Sequence, residues 1–155
     1  MTRISFGTSG WRGIMCEDFT FDNVKVVVQA IADNLTAAGE QGKGVIIGCD
    51  TRFMGQRFAA EAAKVFAGAG IKVYLCERDT PTPVISFEIL RRKTAGAINF
   101  TASHNPPEYN GFKLCIGLDS IHGEDIQKIR EIIEKQDFAQ GQGSQSSASV
   151  LDAYY

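Results

Sequence analysis

The chain has 155 residues, 44% hydrophobic and 22% charged, which suits one compact domain with a core of its own. Its net charge is −2 and no block of lysines or arginines stands out, so a nucleic-acid partner is not expected. No apolar run approaches the roughly 20 residues that cross a bilayer and no signal-peptide core opens the chain, so no membrane partner is expected either. Cys16, Cys49, Cys76 and Cys115 form no C-x-x-C pair, and three of them lie in apolar runs. Buried, reduced thiols in a cytoplasmic protein are the expectation.

In chain order, the hydrophobic period alternates between helical and strand-like. Val24, Val27, Val28, Ile31 and Leu35 recur at helical spacing and stop at Gly39. Val45-Ile46-Ile47-Gly48-Cys49 is strand-length and β-prone. Phe58, Ala62, Val65 and Phe66 mark a second helix that stops at Gly68, and Ile71 to Cys76 marks a second strand. Thr82-Pro83 supplies a cap and an N1 proline to a third helix through Val84, Ile85 and Ile89, which Arg91-Arg92-Lys93 closes favourably for its dipole. Ala95 to Phe100 and Gly111 to Ile116 are two further strands, and Ile126, Ile129, Ile132 and Ile133 define a last helix.

Helices and strands in alternation predict an α/β fold of three layers, α/β/α, around a mixed four-stranded sheet. The segment between Phe100 and Gly111 contains two prolines and no helical pattern, so it is no crossover helix. The last strand is therefore predicted to run antiparallel to the one before it. Residues 1–137 read as the folded domain, 138–149 as a Gly/Ser/Gln-rich linker, and the apolar 150–155 as the start of a second, truncated domain.

Three stretches carry candidate chemistry. Thr101 to Lys113 (TASHNPPEYNGFK) begins where a buried strand ends, the place where open α/β sheets put ligand sites. Phosphoryl transfer needs an oxygen nucleophile, cations around the phosphoryl group and a proton carrier, which Ser103, Lys113 and His104 can supply. The bland alternative is a surface loop whose Ser, Asn and Pro only make turns. Gly7 to Gly13 offers glycines that let an anion approach the backbone, hydroxyls on Thr8 and Ser9, and Arg12 for bidentate phosphate binding. It reads equally well as a glycine-rich turn. Arg52, just after the first apolar strand, either supports a site there or simply pairs with Asp50, and the pair is favoured. Ser103 lacks the flanking glycines of a nucleophile elbow, and no His/Cys/carboxylate cluster has metal-ligand spacing.

Taken together, FGTSGWRG, GCDTR, TPTP and TASHNPPEYNGFK resemble, in order and spacing, the first domain of the α-D-phosphohexomutase family, over residues 4 to about 135. The combination T-A-S-H-N-P-P followed by N-G-F-K is the specific part. That family's first domain has a mixed sheet of four strands with the fourth antiparallel. The resemblance implies an intramolecular phosphotransferase that interconverts hexose 1- and 6-phosphates, here of glucose or mannose, through a sugar bisphosphate. It implies that Ser103 carries the phosphoryl group, that His104 assists, that Lys113 does general acid/base work, and that Arg12 lies near the phosphoserine and substrate. Thr8, Ser9, Arg12 and Asn105 are the expected phosphate- and substrate-binding set. It further implies Mg²⁺, held by the phosphate on Ser103 and by aspartates of a D-G-D-x-D-R loop that this chain does not contain. A fragment with the carrier alone is expected to be inactive. Two readings from other classes compete: a non-catalytic phosphosugar-binding α/β module using the Gly7–Gly13 loop, and a serine hydrolase built on Ser103 and His104, which lacks an orienting acid.

Overall fold

A computed structural model of the chain describes residues 4–7, 10–116, 119–120, 127–129, 131–133 and 145–148. Each buried apolar run forms a strand. β2 (Val45–Cys49) and β4 (Gly96–Phe100) are buried at every position and pair in parallel, with Ile47 opposite Ile98. β3 (Val73–Cys76) lies parallel on the other side of β2. β5 (Tyr109–Ile116) runs antiparallel to β4, with Phe100 opposite Phe112, as the missing crossover helix predicts.

The sheet is larger than the four strands expected. β1 (Gly10–Ile14) pairs antiparallel with the outer side of β5, placing the glycine-rich stretch inside the sheet rather than in a turn. A short β6 (Asp119–Ser120) also pairs with β5. Gln145–Ala148, within the stretch expected to be a linker, form β7 and pair in parallel with β3. Main-chain pairing asks nothing of side-chain polarity, so a Gln/Ser segment can occupy an edge. The resulting order is β1-β5-β4-β2-β3-β7.

α1 (Phe21–Ala37) and α2 (Gly55–Gly68) cover one face, and α3 (Thr82–Arg92) covers the other. Thr20 caps α1, its hydroxyl accepting from Asn23 N at 3.2 Å. α3 begins one residue earlier than expected. Thr82 is helical rather than the cap, and its hydroxyl accepts from buried Asn99 Nδ2 at 2.8 Å. Residues 127–129 and 131–133 are helical, and Ile129 is buried in the core beneath α1 and α2.

Two facing patterns position the site. Trp11, Phe112 and Phe100 stand in register across β1, β5 and β4 and point into the α1/α2 core. Phe19 fills the space beneath them, 4.6 Å from Trp11 and 4.8 Å from Phe58 between ring centroids. One residue further along β5 the side chain flips, so Lys113 leaves the core and stands on the α3 side of the sheet. It lies opposite Gly10 on one flank and Asn99 on the other. Gly10 is required where it is: a Cβ there would meet Phe112 O at 2.0 Å, and its φ of +158° disfavours other residues.

α3 also holds a fully buried carboxylate. Glu88 pairs with Arg91 and Arg92, each with an N···O separation of 2.5 Å. Burial alone would raise its carboxyl pKa, but the two arginines outweigh it and the net shift is below the usual 4.5. The stability this contributes is therefore fully present above about pH 4.5 and is lost as pH falls through the depressed folded value. Glu88→Gln is expected to cost about 1–2 kcal/mol at neutral pH and to flatten the acid limb of a stability–pH curve. Urea unfolding between pH 3 and 7 reads both effects.

The cysteines are free thiols. Burial, with Asp50, Cys76 and Asp79 adding to it, pushes Cys49 up to about 11. Only about one thiol in a thousand is then thiolate at pH 8. Iodoacetamide is expected to label exposed Cys16 and spare Cys49, as peptide mass spectrometry would show; equal labelling would contradict the burial.

Candidate active site

Ser103 stands at the tip of the loop joining β4 to β5, at the carboxyl end of the parallel strands. Three main-chain bonds shape this loop. Thr101 N donates to Gly111 O at 2.9 Å, Asn105 N to Ala102 O at 3.0 Å, and Tyr109 N to Pro106 O at 3.0 Å. Ser103 N donates to Thr101 Oγ1 at 3.0 Å, so the threonine hydroxyl is turned inward and occupied. Ser103 itself is exposed and takes a left-handed φ of +55°. Such strain in a non-glycine residue costs of order 1 kcal/mol or more and concentrates at functional sites. The Ser103 hydroxyl lies 3.5 Å from His104 Nδ1, at the outer limit of a hydrogen bond.

Arg12 projects from β1 on the face opposite the aromatic core, and its Nη1 donates to Asn105 Oδ1 at 2.9 Å. Gly111, its register partner on β5, makes room: a Cβ there would lie 2.9 Å from Arg12 Cγ and 2.5 Å from Trp11 O. Arg12 and Lys113 line one cleft of about 430 Å³ with Ser5, Phe6, Gly7, Gly10 and Phe112. The ammonium of Lys113 is close enough to Cys115 to matter electrostatically. Burial raises that thiol, and the hydrogen bond with Ser86 and the lysine charge oppose it.

The fold thus gathers Ser103, His104 and Asn105 on one loop, with Arg12 bonded to the loop and Lys113 beside Arg12. Thr8 and Ser9 lie outside the described residues. Among the described residues no group of three or more His, Cys, Asp or Glu side chains converges on one point. Ser103 alone offers one oxygen, so these residues do not by themselves form a magnesium cage. No helix among the described residues is long and apolar enough to cross a membrane.

The residue that sequence reasoning undervalued is Arg52. Its carboxylate pair is real but loose, with Nε 3.7 Å from Asp50 Oδ2. Its two terminal nitrogens instead bind the loop. Nη2 donates to Ser103 O at 2.8 Å and Asn105 O at 2.6 Å, and Nη1 to Pro106 O at 2.9 Å and Tyr109 O at 3.0 Å. Fully buried Asn110 adds a second tie, its Nδ2 donating to Phe53 O at 3.1 Å. Acceptors that are all main-chain oxygens leave no residue-type signal in a sequence.

The three-layer α/β domain thus presents one strained hydroxyl at the carboxyl ends of its parallel strands, the usual place for a ligand site in such sheets, with two cations in the cleft beside it. The sequence model of phosphoglucomutase/phosphomannomutase α/β/α domain I matches residues 3–140, and the chain belongs to that family. It is 31% identical over 144 residues to a phosphomannomutase/phosphoglucomutase of Pseudomonas aeruginosa, covering 93% of this chain and 30% of that protein. It is 33% identical over 158 residues to a phosphoglucomutase of Neisseria gonorrhoeae, covering all of this chain and 34% of the relative. Among solved structures, a phosphomannomutase described as putative from Thermus thermophilus superposes with a TM-score of 0.88 at 34% identity, over 97% of this chain and 34% of that one. The chain thus spans about a third of the length of the relatives it matches.

Proposed function

We propose that this chain is the phosphoryl-carrying domain of a mutase that interconverts hexose 1-phosphates and 6-phosphates of glucose or mannose. The observation that carries the reading is the Ser103 loop: one exposed hydroxyl on a rigid, strained turn, with Arg12 and Lys113 sharing the adjacent cleft. In this reading Ser103 enters each cycle phosphorylated. A sugar hydroxyl oxygen bonds to phosphorus as the bond to Ser103 Oγ breaks, giving a sugar bisphosphate. The reverse step at the other end of the sugar restores the phosphoserine. Arg12 and Asn105 hold phosphate oxygens, Lys113 moves the proton of the sugar hydroxyl, and His104 assists beside the serine. Magnesium would add charge neutralisation at the phosphoserine, with its acidic ligands supplied from outside this chain. The serine-hydrolase alternative has no support, since no carboxylate among the described residues is bonded to His104.

Tandem mass spectrometry of the purified polypeptide tests the reading. Covalent phosphate on Ser103 is expected; an unmodified chain that binds phosphosugars reversibly would instead mark a binding module. These 155 residues alone are expected not to turn over hexose phosphates, because positioning does nearly all the work in phosphoryl transfer. A coupled assay showing turnover of about 1 per second or faster would contradict that.

A further inference from the structure

We propose that Arg52 is the positioning residue of the Ser103 loop, and that by drawing four carbonyl oxygens inward it turns the His104 N–H outward as a backbone donor for a phosphoryl group. The geometry is independent of the mutase reading; only its purpose rests on it.

The peptide bond is planar and trans, so a carbonyl aimed one way aims the next residue's N–H the opposite way. Arg52 holds the carbonyls of Ser103, Asn105, Pro106 and Tyr109. The N–H groups on the far side of those four peptides would belong to His104, Pro106, Pro107 and Asn110. The two prolines have none, and Asn110 lies in the β1–β5 ladder. His104 is what remains. Its N–H has no protein acceptor among the described residues, whereas Ser103 N and Asn105 N are both engaged. Of the peptides that Arg52 holds, the one between Ser103 and His104 therefore keeps a main-chain donor without a protein acceptor among the described residues, next to the serine hydroxyl and on the side away from Arg52.

Arg52 suits this task better than other cations. Its guanidinium is a rigid, permanently charged fork whose four terminal N–H bonds match four fixed acceptors. Its side chain is only 16% exposed, so the clamp is screened little by water. The same four bonds hold Ser103 at its left-handed φ without a glycine.

Inorganic phosphate is the probe, and the ¹⁵N–¹H resonances of the full chain are the readout. In the wild type, freed of any covalent phosphate by phosphatase treatment, the His104 amide is expected to move downfield and saturably on phosphate addition; no response at that amide would overturn the proposal outright. Arg52→Met is expected to abolish the His104 response or weaken it at least about tenfold, while amides of β2 and β4 keep their shifts. A His104 response within twofold of wild type in folded Arg52→Met would overturn it. Should Arg52→Met not fold, Arg52→Lys decides: one ammonium cannot span four carbonyls, so a weakened His104 response is expected, and an unchanged one counts against the clamp. Ser103→Ala separates this inference from the mutase reading. The His104 response is expected to survive in that variant whether or not Ser103 proves to be the carrier, and its loss there would sink the proposal.

Discussion

Ser103→Ala is expected to lower mutase turnover by about 10⁴–10⁶-fold, the scale on which enzymes lose activity when their nucleophile is removed. The assay needs a polypeptide that also supplies the length of the relatives which these 155 residues do not span. The hydroxyl has no local substitute. Thr101 Oγ1 is committed to Ser103 N, and the side chains bonded to the tip of the loop, His104, Asn105 and Arg12, carry no hydroxyl. Stability should change by less than about 1 kcal/mol, because the side chain is exposed and its single contact, to His104 Nδ1 at 3.5 Å, is marginal. Ser103→Gly sharpens the test. Glycine adopts a φ of +55° without steric cost, so this variant should be at least as stable as wild type and equally inactive. That pair of results would show a strained conformation maintained for the sake of its hydroxyl. Near-normal turnover in either folded variant would mean that Ser103 is not the carrier.

Much of this arrangement was legible in the sequence, for physical reasons that can be named. Val45–Cys49 and Gly96–Phe100 are buried on both faces, so they appear as unbroken apolar runs. The double proline at Pro106-Pro107 ruled out a helix after Phe100 and so fixed the direction of β5. β1 was harder. Its glycines imitate a turn, and the strand signal is only the alternation of buried Trp11 and Gly13 with outward Gly10, Arg12 and Ile14. β7 gave no signal at all, because Gln145–Ala148 pairs through its main chain. The site divides in the same way. Ser103, Arg12 and Lys113 stand out in the sequence as residue types suited to phosphate chemistry. Arg52 was misjudged as chiefly a partner of Asp50 because carbonyl acceptors belong to every residue and identify none.

Lys113→Met is expected to lower turnover by about 10²–10⁴-fold while leaving the fold in place. The alternation of β5 carries the expectation. Phe112 and Leu114 are buried in the core, so the residue between them must leave the sheet on the other face, into the cleft that Arg12 lines. The methionine side chain retains the apolar stem and its packing but removes both the charge and the transferable proton, so a melting-temperature shift of only a few degrees should accompany the loss. Lys113→Arg then separates the two roles. A guanidinium keeps the positive charge beside the phosphoryl group but does not give up its proton in a protein. If Lys113 moves the proton of the sugar hydroxyl, the arginine variant should remain within about tenfold of the methionine variant. If it supplies charge alone, arginine should restore most of the turnover. A large loss of stability with near-normal turnover in Lys113→Met would remove the residue from the chemistry and leave it as a structural strand residue.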